Sequence, residues 1–406
     1  FDAARHSANH ARRLRPDAPD AAVLLGAISL AEDEPLESLR WYETAIELDP
    51  DYFEPYVAAS QISLFDLGDP AKALRFCEDG LDLEHEGPLD LLELELLAAE
   101  AELELQRPEA VTSRLERVGR YPVVRYLVRA PDESEDDTWL LSESAELQPL
   151  EPTGIDALDR DEDGAALDED ERRAVFGRLV HLVQRVCRLW LDLFREQVAL
   201  PMLRSLVRHA PQHADSWYLL SEAEHLAGRP RIACHAALRV YRLDAHFKAP
   251  DWLPSPAQVH RKVVEILGEC QDSALRELSQ RRVALIVLIH EVPGLELILE
   301  GIDPRTPVLA LASSSPVTGE ASPATPTTPP ELTGLAIYRR SLMRVTRSPQ
   351  QFEAELRHAV LEELAAFFEL DNPRRESLGL APLPTEASKP AAPAEEEPPP
   401  RRRRRK

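Results

Sequence analysis

Glycine and cysteine are scarce in this sequence of 406 residues, which contains 15 Gly and 4 Cys. Loops that wrap phosphate groups need closely spaced glycines, and no GxGxxG, P-loop or GxSxG pattern occurs. The cysteines are far apart in apolar, helix-like surroundings, which favours buried thiols in a reducing compartment over a disulfide framework or a CxxC metal site. They are Cys77, Cys187, Cys234 and Cys270.

A net positive charge and long apolar runs are also lacking. The net charge of −25 argues against nucleic acid or an anionic membrane as the main partner. The exception is a run of five arginines, residues 401–405, which could contact RNA or an acidic partner, but the adjacent acidic residues 395–397 favour a solvated tail. No apolar run reaches membrane-spanning length and no signal peptide is recognisable, which predicts a cytoplasmic protein without a membrane partner. Because the sequence starts at Phe1 and not at Met, a preceding targeting segment is left open.

An internal repeat organises the N-terminal part of the chain. The length predicts two or three domains, and 44% hydrophobic residues suffice for their cores. Residues 14–17, LRPD, recur as residues 48–51, LDPD, at a spacing of 34 residues. Between them, small and apolar residues stand where two antiparallel helices would pack closely, and a proline ends the second helix. These positions are Ala22, Leu25, Gly26, Ser38, Tyr42, Ala45 and Pro50.

The same spacing returns later in the chain. Pro211 and Ala245 end successive second helices 34 residues apart, Trp217 opens a first helix, and the preceding residues supply another pair. A non-repeating helical bundle is the alternative, but the period, the small residues and the helix ends agree. Both blocks, residues 1–125 and 171–250, resemble the tetratricopeptide repeat (TPR). The resemblance implies a solenoid of helical hairpins that binds a protein or peptide partner on its surface.

An acidic segment, residues 126–170, separates the two blocks. Within it, Asp159, Asp161 and Asp163 match the first, third and fifth positions of an EF-hand calcium loop, and Gly164 matches the sixth. The match then fails, because the later positions lack the expected bulky aliphatic residue and the glutamate. A solvated acidic linker is the preferred interpretation, and a calcium site at the three aspartates is the alternative.

The sequence pattern of residues 254–380 predicts a small α+β domain. A helix that begins at Pro256 precedes residues 283–292, a run rich in β-branched residues that is typical of a buried strand. A second strand is predicted at residues 335–339, and a final helix over residues 350–370.

Two parts of the C-terminal region are low in complexity. Residues 313–330 form a loop rich in Pro, Ser and Thr, and residues 381–406 form a tail that we expect to be disordered. The predicted fold is therefore mostly α, with a TPR-like solenoid in two blocks followed by a small α+β domain.

Five segments of this C-terminal domain follow a recognisable order. They are Glu291 to Pro293, Leu295 to Gly301, Ile337 to Arg340, Glu355 to Leu370, and Leu378 to Gly379. Their order and spacing resemble those of the small bacterial zincin-like metallopeptidases with a minimal HExxHxxGxxD core. The resemblance implies a zincin-like fold, in which two imidazoles one helical turn apart bind zinc and a glutamate activates the zinc-bound water.

The metal-binding chemistry of that motif is altered in this sequence. Aligned with it, Glu362 stands at the first histidine position, Ala366 at the second, Glu369 at the glycine and Asn372 at the acidic third ligand, while Glu363 keeps the position of the base. Alanine has no donor atom, and a single carboxylate holds zinc weakly. The resemblance therefore implies a domain without a cofactor, in which Glu363 is a vestigial base. The preferred hypothesis is a non-catalytic protein-binding scaffold that is a pseudoenzyme.

The alternative hypothesis is an active zinc metallopeptidase with a relocated metal site. His358 lies four residues before Glu362 on the same helix face, and His290 ends the predicted strand. These three side chains would be the zinc ligands and Glu363 the base, so their convergence in space would support this alternative.

Overall fold

A computed structural model of the chain describes residues 1–83, 88–128, 167–246, 248–269, 286–313, 331–346 and 348–383. The chain divides into two compact units. Residues 1–248 and 294–304 form the N-terminal unit, and residues 249–293 and 305–406 form the C-terminal unit. The described residues are mostly helical, as predicted, and a small sheet lies in the C-terminal unit.

Antiparallel helix pairs build the first part of the N-terminal unit. Its helices are α1 (Asp2–Leu14), α2 (Asp20–Ala31), α3 (Pro35–Leu48), α4 (Glu54–Gln61), α5 (Pro70–Leu81), α6 (Pro88–Glu104), α7 (Pro108–Val118) and α8 (Pro122–Val128), and a π-helical turn, Ile62–Asp66, continues α4. Helix α2 pairs with α3, α4 with α5, and α6 with α7. The second helix of each pair starts with a proline, which fits there because the first helical turn needs no amide donor.

The second block continues the same array of helices. It consists of α9 (Glu169–Asp192), α10 (Glu196–His209), α11 (Ala214–Leu226) and α12 (Pro230–Asp244). Helix α9 packs on α6, and both blocks share one buried apolar cluster that extends from Leu89 to Val240. Ion pairs also cross this junction, since Arg185 Nη2 lies 2.6 Å from Glu100 Oε2. The two blocks therefore form one continuous helical array.

Helix α9 begins in the last part of the predicted acidic segment. The carboxylate of Asp168 accepts hydrogen bonds from the backbone amides of Asp170 and Glu171, and the carboxylate of Glu171 accepts one from the Asp168 amide. This reciprocal capping satisfies amides that the first helical turn leaves without partners. Acidic residues at this end of the segment therefore start a helix.

The same hydrogen bond recurs at equivalent positions of the two blocks. The hydroxyl of Tyr56 donates to the carbonyl oxygen of Pro50, and the indole Nε1 of Trp217 donates to that of Pro211, both at 2.9 Å. In each case the aromatic residue lies near the start of the first helix of one pair. The carbonyl group that it binds belongs to a residue just after the second helix of the preceding pair. The bond joins successive helix pairs and gives the sequence repeat a physical basis.

Gly26 stands where two paired helices approach most closely. A Cβ atom at this position would lie 2.8 Å from the ring of Tyr42, which is closer than side-chain carbons pack. The hydroxyl of Ser38 also donates to the Gly26 carbonyl oxygen at 2.7 Å. The sequence prediction that small residues mark the contact between α2 and α3 is consistent with this geometry.

A short helix from the C-terminal sequence region belongs to the N-terminal unit. This helix, α14 (Leu295–Leu299), follows α13 (Pro256–Glu269) in the chain and packs on α12. Ile298 is buried together with Ala233 and Cys234, and the Cys234 thiol lies 3.7 Å from the carbonyl oxygen of Leu295. Helix α14 therefore covers the last helix of the array.

The C-terminal unit combines a three-stranded sheet with helices. Strand β3 (Glu331–Tyr338) lies between β1 (Ile286–His290), which is parallel to it, and β2 (Val308–Ser313), which is antiparallel. The sequence predicts β1 and β3 but not β2, because alanines alternate with its larger residues and weaken the strand pattern. The helices are α13 (Pro256–Glu269), α15 (Arg339–Arg344), α16 (Pro349–Phe367) and α17 (Asn372–Ser377). Side chains of α13, α16 and the strands share one buried core.

Candidate functional site

The C-terminal half of α16 carries the residues predicted to form a site. The helix begins at Ser348, whose hydroxyl accepts a hydrogen bond from the Gln351 amide at 3.2 Å. The apolar spacing of the helix predicts that Leu361, Leu364, Ala365 and Phe368 pack on the sheet. The first three are buried in the core of the C-terminal unit, and Phe368 is partly buried against it. This packing leaves the neighbouring glutamates half-buried at the edge of the core.

Glu362, at the first histidine position of the family motif, is paired with an arginine. Its Oε1 atom lies 2.5 Å from Nη2 of Arg375 on α17. Arg375 is only 3% exposed, and its Nε donates to the carbonyl oxygen of Ala381 at 2.9 Å. Such charge-assisted hydrogen bonds are about twice as strong as neutral ones. The pair therefore ties the segment after the helix to α16.

Glu363, at the position of the catalytic base, binds the outer edge of the sheet. Tyr338 donates its amide to the Pro307 carbonyl oxygen, and in an antiparallel ladder alternate residues point away from the partner strand. The Ala310 amide accordingly points away from β3 and donates to Glu363 Oε1 at 2.7 Å. The carboxylate satisfies an edge-strand amide that would otherwise need water or another chain.

The remaining motif positions lie around the end of α16. Ala366 is exposed, and the Asn372 side-chain oxygen accepts a hydrogen bond from the Leu383 amide at 2.7 Å. Glu369 has a φ of 48°, in the left-handed region that glycine adopts most easily. The same left-handed angle occurs after other helices of the chain, at Asp33, Gln106 and Phe194.

The two histidines of the relocated-site hypothesis are both exposed. His358 lies on the outer face of α16, and His290 at the end of β1 stacks on Tyr338 with ring centroids 6.2 Å apart. Within the residues that the structure describes, no three His, Cys, Asp or Glu side chains form a group that could hold a metal ion. The structure does not bring His358, His290 and Glu362 together as one such group.

Other residues singled out in the sequence do not add to this site. Asp159, Asp161 and Asp163 lie outside the described residues. Cys77, Cys187 and Cys234 are free, buried thiols, and burial raises the pKa of Cys77 to about 12. A thiol with such a pKa stays protonated at neutral pH and is a poor nucleophile or metal ligand.

Sequence reasoning missed the two partners of the glutamates, Arg375 and Ala310. Arg375 belongs to a short run, NPRRES, in which nothing distinguishes it from Arg374. The amide of Ala310 carries no side-chain signal at all, and its strand was not predicted. The side chains at the ligand and base positions are the two carboxylates that make these contacts, the methyl group of Ala366 and the amide of Asn372. Without a pair of imidazoles, this set does not fit a zinc site.

Comparison with known proteins gives a family match in the C-terminal part of the chain and similar solved structures for the helical part. Residues 283–380 match the family model of the zincin-like metallopeptidases. The C-terminal part of the chain is therefore a zincin-like domain, and the N-terminal part is a TPR-like helical scaffold. None of the curated proteins matches the chain by sequence. No described helix is long and apolar enough to cross a membrane.

Solved structures similar to the helical region are TPR proteins. YrrB, described as a TPR protein with an unusual peptide-binding site, is 12% identical over 60% of this chain and 95% of its own, with a TM-score of 0.36. The MamA protein is 10% identical over 57% and 96%, with a TM-score of 0.36. A tetratricopeptide repeat protein from Parabacteroides merdae is 14% identical over 68% and 91%, with a TM-score of 0.28. The repeat assignment itself stands on the helix pairs described above.

Proposed function

We propose that this protein is a non-catalytic scaffold that binds a protein or peptide on its helical repeats, and that its zincin-like domain has lost its zinc ligands. The observation that carries the proposal is the pairing of Glu362 with Arg375. Where the family places an imidazole that binds a cation, this chain has a carboxylate already held by a guanidinium. A zinc ion at this position would be repelled by the positive charge of Arg375.

The contact of Glu363 supports the same proposal. Glu363 uses Oε1 to hold the Ala310 amide of β2, which is a structural role. A domain that keeps its fold through such contacts needs neither zinc nor catalysis, so a cofactor is not part of the proposal.

The repeat surface offers groups suited to a peptide. The first helix α9 packs on α6 on one side and on α11 on the other, so these three helices form one layer. On this layer, Arg188 of α9 donates to Glu222 of α11 at 2.9 Å, and Tyr218 lies one helical turn before Glu222 on α11. The Arg188 side chain is 34% exposed and Tyr218 is half-buried. Aromatic and arginine side chains in such settings dominate many binding surfaces.

A cytoplasmic location, which the free thiols favour, completes the proposal.

The loss of catalysis is tested with metal analysis and a peptidase assay on the purified, untagged chain. We expect no peptidase activity, and we expect the zinc content to be the same in the wild type and in Glu362→Ala. The wild type and Glu363→Gln should be indistinguishable in the assay, because the amide oxygen of the new side chain would still accept the hydrogen bond from Ala310. Zinc that is lost in Glu362→Ala, together with peptidase activity that disappears in Glu363→Gln, would instead establish the relocated metallopeptidase.

Binding on the repeats is tested with peptides selected on the wild-type protein from a displayed random library. We expect Tyr218→Ala to weaken their binding at least about tenfold, corresponding to about 1.4 kcal/mol. Tyr241→Ala is the matched control, because Tyr241 lies on α12 and is 52% exposed. Equal affinities of the two variants would place binding elsewhere and contradict the proposed surface.

A further inference from the structure

Two imidazoles one helical turn apart, absent from α16, are present on α1. His6 and His10 are both exposed on this helix, which runs from Asp2 to Leu14. Side chains four residues apart on a helix have Cβ atoms about 5–6 Å apart and project from the same face. Neither ring takes part in a hydrogen bond or an ion pair with any residue that the structure describes.

Packing fixes which face of α1 points outward. Ala8 is 1% exposed and packs in a cluster with Leu25 and Ile28 of α2. Arg5 is hydrogen-bonded to Glu32, and the Arg12 guanidinium lies 4.8 Å from the centre of the Trp41 ring. Because successive helical residues are about 100° apart, His6 and His10 lie about 160° from Ala8, and they are about 40° from each other. Both rings therefore stand side by side on the outer face.

We propose that His6 and His10 form a surface site for one divalent transition-metal ion such as Zn²⁺, Ni²⁺ or Cu²⁺. Imidazole nitrogen suits these ions, whereas Mg²⁺ and Ca²⁺ require oxygen ligands. Two protein ligands and water complete the coordination. The residue after His6 is Ser7, so the pair lacks the glutamate that follows the first histidine of a zinc peptidase helix.

Metal binding at this site has two consequences. The ion would join two successive turns at the start of the described chain and would stabilise α1, since a ligand that binds only the folded state favours it. Zinc found in the purified protein would then be bound to α1, and its presence would not indicate a metal site in the zincin-like domain. The site does not depend on the proposed scaffold function, because it uses neither the residues of the zincin motif nor those of the proposed peptide surface.

The test is a calorimetric titration of the untagged full-length chain with Zn²⁺. We expect one ion to bind the wild type, and we expect His10→Gln to bind at least about tenfold more weakly because the chelate is lost. The control is His358→Gln, which removes another exposed helical histidine and should bind like the wild type. All these side chains are exposed, so the variants should fold normally.

A second variant separates the spacing of the imidazoles from their number. His10→Gln combined with Ala11→His keeps the histidine count but moves the second imidazole to another face of α1, so it should bind as weakly as His10→Gln. The proposal is overturned if the wild type binds no more tightly than His10→Gln, or if the double variant binds as well as the wild type. A loss of binding in His358→Gln alone would also overturn it and would point to α16.

Discussion

Replacing Arg114 by methionine should lower the free energy of unfolding by about 3–5 kcal/mol, the usual cost of removing one partner from a buried ion pair. Arg114 is 7% exposed and binds two equally buried glutamates. Its Nη1 atom lies 2.7 Å from Glu95 Oε2, and its Nη2 atom lies 2.8 Å from Glu102 Oε1. Burial disfavours the charged guanidinium, but the two carboxylates outweigh this effect and raise the pKa of Arg114. Without Arg114, the buried Glu102 would lose its guanidinium partner, and Glu95 would keep only Arg117, whose Nη2 atom lies 3.2 Å from Glu95 Oε2.

Denaturant unfolding followed by circular dichroism measures this loss. Arg173→Met is the control, because Arg173 is 67% exposed and its ion pairs with Glu169 and Asp170 lie in water. Such surface pairs contribute about 0–1 kcal/mol. Adding Glu95→Gln and Glu102→Gln to Arg114→Met should restore much of the stability, since the uncompensated charge is then gone. If Arg114→Met is no more destabilised than Arg173→Met, the network has no stabilising role.

Replacing Trp217 by alanine should cost about 3–5 kcal/mol, as is typical of a buried tryptophan. Its side chain is 1% exposed, and its indole binds the Pro211 carbonyl oxygen at the junction between two helix pairs. Trp217→Phe keeps most of the apolar volume but leaves that carbonyl group without its donor, so it should cost about 1–3 kcal/mol.

The two Trp217 variants are compared with Tyr241→Ala by the same denaturant titration. Tyr241 is 52% exposed, and we expect its removal to change stability by less than about 0.5 kcal/mol. Tyr56→Phe tests the equivalent bond of the first block and should resemble Trp217→Phe in size. Equal losses in Trp217→Ala and Tyr241→Ala would show that the repeat junction does not depend on this aromatic residue.

The sequence predicts the elements that local patterns specify. Gly26, Ser38 and Tyr42 mark a helix pair because the close contact of two helices requires small residues at fixed spacing. Strands β1 and β3 are predicted because β-branched and apolar runs are bounded by prolines or low-complexity sequence. Helix α16 itself is predicted because its apolar residues recur at helical spacing, and Leu361 and Leu364 are buried accordingly.

What the sequence does not predict depends on contacts between distant residues. Arg185 and Glu100, which are 85 residues apart in the sequence, join the two repeat blocks. The sequence around each residue does not indicate its partner. The same holds for Arg375, whose importance lies in its burial against Glu362, and for β2, which is defined by its pairing with β3. A surface arginine and a buried one look alike in a sequence when no periodic pattern distinguishes them.

The position of α14 affects how this chain can be divided into fragments. Because residues 294–304 belong to the N-terminal unit, the backbone passes between the units at three points, after residues 248, 293 and 304. A fragment that stops near residue 250 would keep every helix pair but would uncover Ala233 and Cys234, which Ile298 shields. An expression plasmid for the isolated repeats therefore needs the codons for residues 294–304 joined behind α12, or the exposed apolar patch and thiol will promote aggregation and oxidation.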